Sequence, residues 1–309
     1  MVSCTEFIPL YSELFKYLED IGGHDEVVRY WEYISDTYVA DLLGKAVEGK
    51  GLRGCWEYWS KSLNEEACDF RMELDENEGT FSIDMRYCPS RGRLNAYEHM
   101  EPYRDYCGHC ALLYARQLEK FGIVSEEFDM SHVDEAKCFE RYRINPEFVP
   151  KDCKGEKLVM DVKASDNEYF HRDFHISGKR GLEYVGEKYG DAAVSEYLTR
   201  FARAYYAPLA EDVKKQGLLA LREHIESIYE AEKARDCVSC ELCDNMLTVT
   251  VSECPGVKYI KESGNEPTKW YIELTNTVNK AIADMCGLAF ELLCYNEENG
   301  AAKYVFCKL

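Results

Sequence analysis

The chain has little positive charge. Lys and Arg number 37 against 57 Asp and Glu, which gives a net charge of −20. Proteins that bind nucleic acid do so by neutralising phosphates with basic residues, so this balance argues against a nucleic-acid partner. The same balance argues against docking on an anionic membrane surface. We therefore expect the partner to be a small-molecule substrate or ligand.

Long apolar runs and targeting signals are also missing. No stretch approaches the ~20 apolar residues that span a bilayer, and the first residues lack the basic and apolar regions of a secretory signal. There is no glycine-rich phosphate loop, no G-x-S-x-G motif and no H-E-x-x-H motif. With 46% hydrophobic and 30% charged residues, the composition predicts a globular, cytoplasmic protein.

Cysteine, in contrast, is abundant, at 15 of 309 residues. In a small secreted protein such a count would indicate disulfides. Here the chain is long, has no secretory signal, and carries an odd number of cysteines. We therefore expect reduced thiols, some of them placed for metal binding or catalysis.

The sequence repeats itself at a shift of 166 residues, which becomes 165 after one deletion. The matching positions include Cys88-Pro89 with Cys254-Pro255, Gly51 with Gly217, Glu101 with Glu266, and Gly122 with Gly287. Chance matches would not keep one register along most of each half, so we interpret the pattern as a tandem duplication. The predicted domains are a first repeat at 1–150, a linker or short extra hairpin at 151–174, and a diverged second repeat at 175–309.

Each copy predicts an α+β unit. Apolar residues recur at intervals of three and four in two successive helices, and alternating residues then predict a β-hairpin that ends at the Cys-Pro pair. A further helix closed by glycine and two final strands complete the unit. We expect an antiparallel sheet in each copy and a pseudo-two-fold relation between the copies, with a homodimer as a further arrangement.

The densest group of chemically active residues lies in the first copy, at Cys88, Cys107, His109, Cys110 and Cys138. Cys107 to Cys110 should form the first turn of a helix, where the dipole and free N–H groups favour a thiolate. A nucleophilic thiol with His109 as base, or a metal site that uses the four thiols, would both fit this pattern. The alternative is that the cysteines are small buried apolar residues.

The second copy lacks most of this group. It has Ile272, Leu274 and Thr275 in place of the residues at 107–110, whereas Cys254 matches Cys88. Residues that the shared fold requires should occur in both copies. The Cys-Pro cysteines are therefore expected to be structural, and the 107–110 residues are freer to serve function.

A second group of thiols is formed by Cys237, Cys240 and Cys243, followed by Cys254. The spacing partly resembles an iron–sulfur ligand run, so an iron–sulfur cluster or zinc is one hypothesis for this segment. If the segment is a strand, alternation directs Cys240 away from the other two thiols, and one ion could not reach all three.

Two histidines flank Asp173 in the sequence HRDFH, at His171 and His175. On a helix they would share one face and could form a metal or proton-transfer pair. The alternative is a helix amino terminus packed among its aromatic neighbours.

Two arginines, Arg141 and Arg143, follow Cys138 on a predicted strand. Their spacing places them on one face, where they could bind a carboxylate through paired hydrogen bonds. A solvated strand face is the alternative.

The run FSIDMRYCP…YRDYCGHCALLYARQLEKFG…DEAKCFERYRI resembles the L-2-amino-thiazoline-4-carboxylic acid hydrolase family. The likeness consists of a strand ending in Cys-Pro, a helix opening on cysteine, and a strand pair ending in Cys-Phe. It implies a hydrolase acting on a non-peptide C–N bond of a small cyclic amidine. In that case Cys107 would be the nucleophile or a ligand, His109 the proton carrier, and Arg141 or Arg143 the group that holds the substrate carboxylate.

The duplicated unit also resembles, in architecture, small-molecule-binding domains of the 4-vinyl reductase type. That likeness implies a sensor that binds a small molecule or a metal without catalysis. A third hypothesis is an iron–sulfur or zinc protein that uses the 237–243 cysteines.

Overall fold

The computed structural model describes residues 2–309, which divide into two compact units. The amino-terminal unit comprises Leu18–Glu98 and Pro102–His171. The carboxy-terminal unit comprises the chain up to Tyr17, His99–Glu101 and Arg172–Leu309. The chain thus passes between units after His171, inside the segment predicted as a linker, and its first residues belong with the later unit.

Helix α1 (Phe7–Gly22) crosses the boundary between the units and is followed by the elements of the amino-terminal unit. These are α2 (His24–Ile34), a π-helical segment (Ser35–Gly44), α3 (Leu52–Glu65), β1 (Asp69–Asp75), β2 (Thr80–Tyr87), α4 (Pro89–Ala96), α5 (Gly108–Leu118), β3 (Ile123–Asp129), β4 (Cys138–Ile144) and β5 (Lys157–Val162).

The sheet of this unit is antiparallel, with strand order β3-β4-β2-β1-β5. Alternating residues of β1 and β2 are buried, so one face of the sheet lies against the core. Trp59 of α3 stacks on Phe81 of β2, with ring centroids 5.4 Å apart, and this contact fixes the helix on the sheet. The predicted linker contributes β5, which pairs along β1 as an edge strand.

The spacing of apolar residues predicts one continuous α-helix as the first helix of copy one. In the structure α2 forms its first half, and the π-helical segment replaces its second half. The amide of Gln117 donates a hydrogen bond to the Ser35 carbonyl at 2.7 Å, and the Ser35 hydroxyl donates to the Leu113 carbonyl at 2.8 Å. One side chain and one backbone carbonyl of α5 therefore take part in the hydrogen bonding where the α-helix gives way to wider turns. Local periodicity could not reveal these partners, because they come from residues about 80 positions away.

The carboxy-terminal unit contains the remaining elements. These are α6 (Phe174–Tyr189), α7 (Asp191–Tyr205), α8 (Ala207–Gln216), α9 (Leu218–Ala231), β6 (Val238–Cys243), β7 (Met246–Val251), α10 (Pro255–Glu262), α11 (Asn276–Cys286), β8 (Leu288–Tyr295) and β9 (Ala302–Lys308). Their antiparallel sheet has strand order β6-β7-β9-β8.

The start of the chain is part of this unit's core. Phe7 stacks on Phe174 of α6 with ring centroids 4.4 Å apart, and the Tyr197 hydroxyl donates a hydrogen bond to the Leu10 carbonyl at 2.9 Å. These contacts attach the beginning of α1 to helices far along the sequence.

The predicted α+β class is confirmed, with helices and one antiparallel sheet in each unit. Both units also contain a hairpin, a helix that begins at the proline of the Cys-Pro pair, a later helix and a strand pair, in that order. Gly122 and Gly287 end the second helical stretch in left-handed conformations, with φ of 67° and 66°. The common order is what a duplication predicts, while the duplication and its pseudo-two-fold axis stay predictions.

No helix within residues 2–309 combines the length and the apolar character needed to cross a membrane.

Candidate functional site

The first group of predicted thiols comes together in the amino-terminal unit. Cys88 caps α4 and accepts a hydrogen bond from the Arg91 amide at 3.5 Å, while Cys107 precedes α5. Cys110 lies in the first turn of α5, and Cys138 begins β4. Other thiols of the group raise the pKa of Cys88, Cys110 and Cys138, and Cys107 acts on each of these three, so four cysteines that are scattered in sequence are neighbours in space.

His109 is buried and contacts one thiol of this group, that of Cys110. Burial lowers its pKa to about 4, so the imidazole is neutral at pH 7. Its Nδ1 atom hydrogen-bonds the Tyr106 carbonyl, which can only accept, and the ring proton is therefore assigned to Nδ1. The unprotonated Nε2 then lies 3.4 Å from Sγ of Cys110, as an acceptor for the thiol proton.

Burial keeps the thiols in their neutral form. It raises the pKa of Cys107 and of Cys110, and it raises the pKa of Cys88 to about 12. This direction is opposite to the lowering expected from the amino terminus of α5. The largest cause is burial, since loss of water around the sulfur disfavours the thiolate.

A carboxyl group that the sequence analysis missed completes the cluster. Glu140 lies two residues after Cys138 on β4, is buried, and accepts a hydrogen bond from the Tyr142 hydroxyl at 2.5 Å. Burial raises the pKa of Glu140 to about 7, and its charge contributes to the raised pKa of Cys110. The available signal was alternation, because an acidic residue stands in the series of inward positions Cys138, Glu140, Tyr142 and Ile144.

Arg141 and Arg143 share one face of β4, as predicted, but it is the exposed face. Arg141 forms an ion pair with Glu127 at 3.3 Å, and Arg143 forms one with Glu126 at 2.5 Å. Glu140 points to the opposite, buried face. The structure therefore gives the arginines solvent-exposed carboxylate partners and does not bring them to the thiols.

The second group of thiols lies on or beside β6. Cys237 ends a 3-10 turn, and Cys240 and Cys243 pair with Val249 and Met246 of β7. Because the segment is a strand, Cys240 faces away from Cys243. Across residues 2–309, neither these three thiols nor those of the amino-terminal unit form a group whose ligand atoms all lie within 4.8 Å of one another.

The two predicted histidines do not share a helix, because α6 begins at Phe174 and His171 precedes it. In the amino-terminal unit, His171 Nδ1 lies 2.9 Å from a Glu65 carboxylate oxygen. In the carboxy-terminal unit, His175 Nε2 lies 3.0 Å from Glu232 Oε1. Both histidines are buried, and each has a carboxylate partner within its own unit.

All fifteen cysteines lie within the described residues, and each is a free thiol. Comparison of the chain with family models, with curated proteins and with solved structures gave no match.

Proposed function

We propose that the amino-terminal unit is a thiol-dependent hydrolase that opens a C–N bond of a small cyclic amidine. Cys110 is the nucleophile and His109 its base. One observation carries the assignment: Nε2 of His109 faces Sγ of Cys110 at 3.4 Å, with the tautomer set by the Tyr106 carbonyl. The family resemblance implies that Cys107 is the nucleophile or a ligand, and the contact of His109 with Cys110 supports Cys110 as the nucleophile.

The neutral state of both groups determines how the reaction would begin. The thiol proton moves to Nε2 of His109 as the sulfur attacks the amidine carbon, so the C–S bond forms without a standing thiolate. The resulting imidazolium then donates that proton to the ring nitrogen of the substrate, which leaves the carbon as the C–N bond breaks. Water, deprotonated by the same imidazole, then attacks the carbon and releases Cys110 as a thiol.

Glu140 supports the proposal as a second proton-transferring group. With a pKa of about 7, its carboxyl is partly protonated at neutral pH and can both donate and accept a proton. Arg141 and Arg143 lie on the other face of β4, so we do not assign them the substrate carboxylate. The fifteen free thiols suit a reducing compartment, and we place the activity in the cytoplasm.

The test is turnover of 2-amino-2-thiazoline-4-carboxylate, with the product identified by mass spectrometry as the substrate plus one water. We expect turnover by the wild-type protein and its loss in Cys110→Ser. Cys138→Ser is the matched control, because that thiol is also half-buried in the cluster, and this variant should retain activity. Undiminished turnover by Cys110→Ser would contradict the role of this thiol, and absence of wild-type turnover would contradict the substrate class.

A further inference from the structure

The carboxy-terminal unit contains a buried group of three potential metal ligands. Cys4 lies in a 3-10 turn just before α1, His175 in the first turn of α6, and Glu232 directly after α9. One ligand atom from each lies within 4.8 Å of the other two. None of the three residues is more than 5% exposed.

The Glu232 carboxylate interacts with the Cys4 thiol and with two nitrogens, and both nitrogens contact the same one of its two oxygens. Oε1 accepts a hydrogen bond from the Cys4 amide at 2.6 Å and lies 3.0 Å from His175 Nε2. Oε2 is fully buried, and no residue in the described part of the chain donates a hydrogen bond to it. A buried carboxylate oxygen without a partner is costly, and it indicates that a further group belongs there.

We propose that Cys4, His175 and Glu232 bind a divalent transition-metal ion of the zinc class. A thiolate, an imidazole and a carboxylate form a mixed S, N and O donor set of the kind that Zn²⁺ accepts. Tetrahedral Zn²⁺ holds such ligand atoms about 3.3 to 3.6 Å apart. His175 Nε2 and Glu232 Oε1 are already 3.0 Å apart, and the Cys4 sulfur lies within 4.8 Å of its partners. Shifts of at most about 1.5 Å therefore bring the three residues to coordination distances. Binding displaces the thiol proton of Cys4 to solvent, so that the sulfur coordinates as a thiolate.

The surroundings of His175 support this assignment. Nδ1 lies 3.3 Å from the Tyr271 hydroxyl, an outer contact of the kind that orients metal-binding imidazoles. Gly256 makes room for this contact, because a Cβ there would lie 2.2 Å from the Tyr271 oxygen and 2.8 Å from Nδ1. The glycine thus allows the histidine and its partner to meet.

Tyr271, whose hydroxyl contacts His175, also lines a cavity of about 340 Å³ together with Lys261, Glu266 and Tyr295.

The site would fasten the start of the chain to two helices that are far away in sequence. An ion that binds only the folded state stabilises it in proportion to the logarithm of the free-ion concentration over the dissociation constant. Bound metal should therefore protect the Cys4 thiol from alkylation and raise the melting temperature.

The experiment uses the full chain, stripped with a chelator, reduced, and titrated with Co²⁺ under anaerobic conditions. We expect stoichiometric binding with a sulfur-to-cobalt charge-transfer band, displacement of the band by Zn²⁺, and loss of the band in Cys4→Ala and Glu232→Gln. Cys254→Ala is the matched control, because this thiol is also buried in the same unit, and it should keep the band.

Two results would overturn the proposal: a wild-type protein with no such band, or a band that survives in Cys4→Ala and disappears in Cys254→Ala. If the variants do not fold, the test is the rate at which Cys4 of the wild-type protein is alkylated, followed by peptide mapping. Slower modification of Cys4 with Zn²⁺ present supports the site, and an unchanged rate contradicts it.

Discussion

His109 and Cys110 are joined through their side chains although they are consecutive residues, with Nε2 and Sγ 3.4 Å apart. Neighbours on a regular helix normally point in different directions. Here both residues lie in the first turn of α5, and the bond from Nδ1 to the Tyr106 carbonyl turns the ring so that Nε2 meets the sulfur.

Removal of the imidazole should therefore impair catalysis without removing the thiol. We expect His109→Asn to lower kcat/KM for a cyclic amidine substrate about 100-fold or more, the usual contribution of a general base. The Asn amide can still donate to the Tyr106 carbonyl, so the helix start should persist. His132→Asn, at an exposed position of the same unit, serves as the control, and equal kinetics for the two variants would contradict the role of His109.

His109 should also make stability depend on pH in the acid range. Its folded-state pKa of about 4 lies below the ordinary value of 6.5, so the unfolded chain binds the proton first as the pH falls. The contribution of His109 to the free energy of unfolding is complete above pH 6.5. About 3 kcal/mol of it is lost as the pH falls through 4. Denaturant unfolding at several pH values should show a shallower acid loss in His109→Asn, and parallel curves would argue against a buried neutral imidazole.

Glu140 should act in the opposite direction. Its folded-state pKa of about 7 lies above the ordinary value of 4.5, so its contribution is complete below pH 4.5 and is lost as the pH rises through 7. Between pH 4 and pH 8, the free energy of unfolding of Glu140→Gln should rise by about 3 kcal/mol relative to that of the wild type. Glu127→Gln, on the exposed side of the sheet, should show no such gain in the same unfolding series.

Gly256 should tolerate no larger side chain while Tyr271 keeps its hydroxyl. The added Cβ of Gly256→Ala would meet the Tyr271 oxygen at 2.2 Å, and we expect a loss of about 1–3 kcal/mol, the usual cost of overpacking. Tyr271→Phe removes that oxygen, so part of the loss should disappear in the double variant. Thermal or urea unfolding of the four proteins measures this coupling, and additive effects would show that the clash is relieved elsewhere.

The local features of the fold were predictable because neighbouring residues determine them. The hairpin of β1 and β2 follows from alternation, and Gly122 and Gly287 end helices because only a residue tolerant of positive φ fits there easily. The common face of Arg141 and Arg143 follows from strand geometry in the same way. The π-helical segment was not predictable, since Gln117 takes part from another helix.

The sequence by itself determined the α+β class, the hairpin that precedes each Cys-Pro pair, and the set of cysteines and histidines from which a site could be built. Tertiary structure decided which of them meet. Glu140 joined the thiols, and Cys4, His175 and Glu232 came together from three distant segments, because packing of non-local elements sets such contacts. Tertiary structure also decided the ionisation of the thiols. Their raised pKa comes from burial, and the residues next to Cys107 and Cys110 in sequence do not reveal that burial.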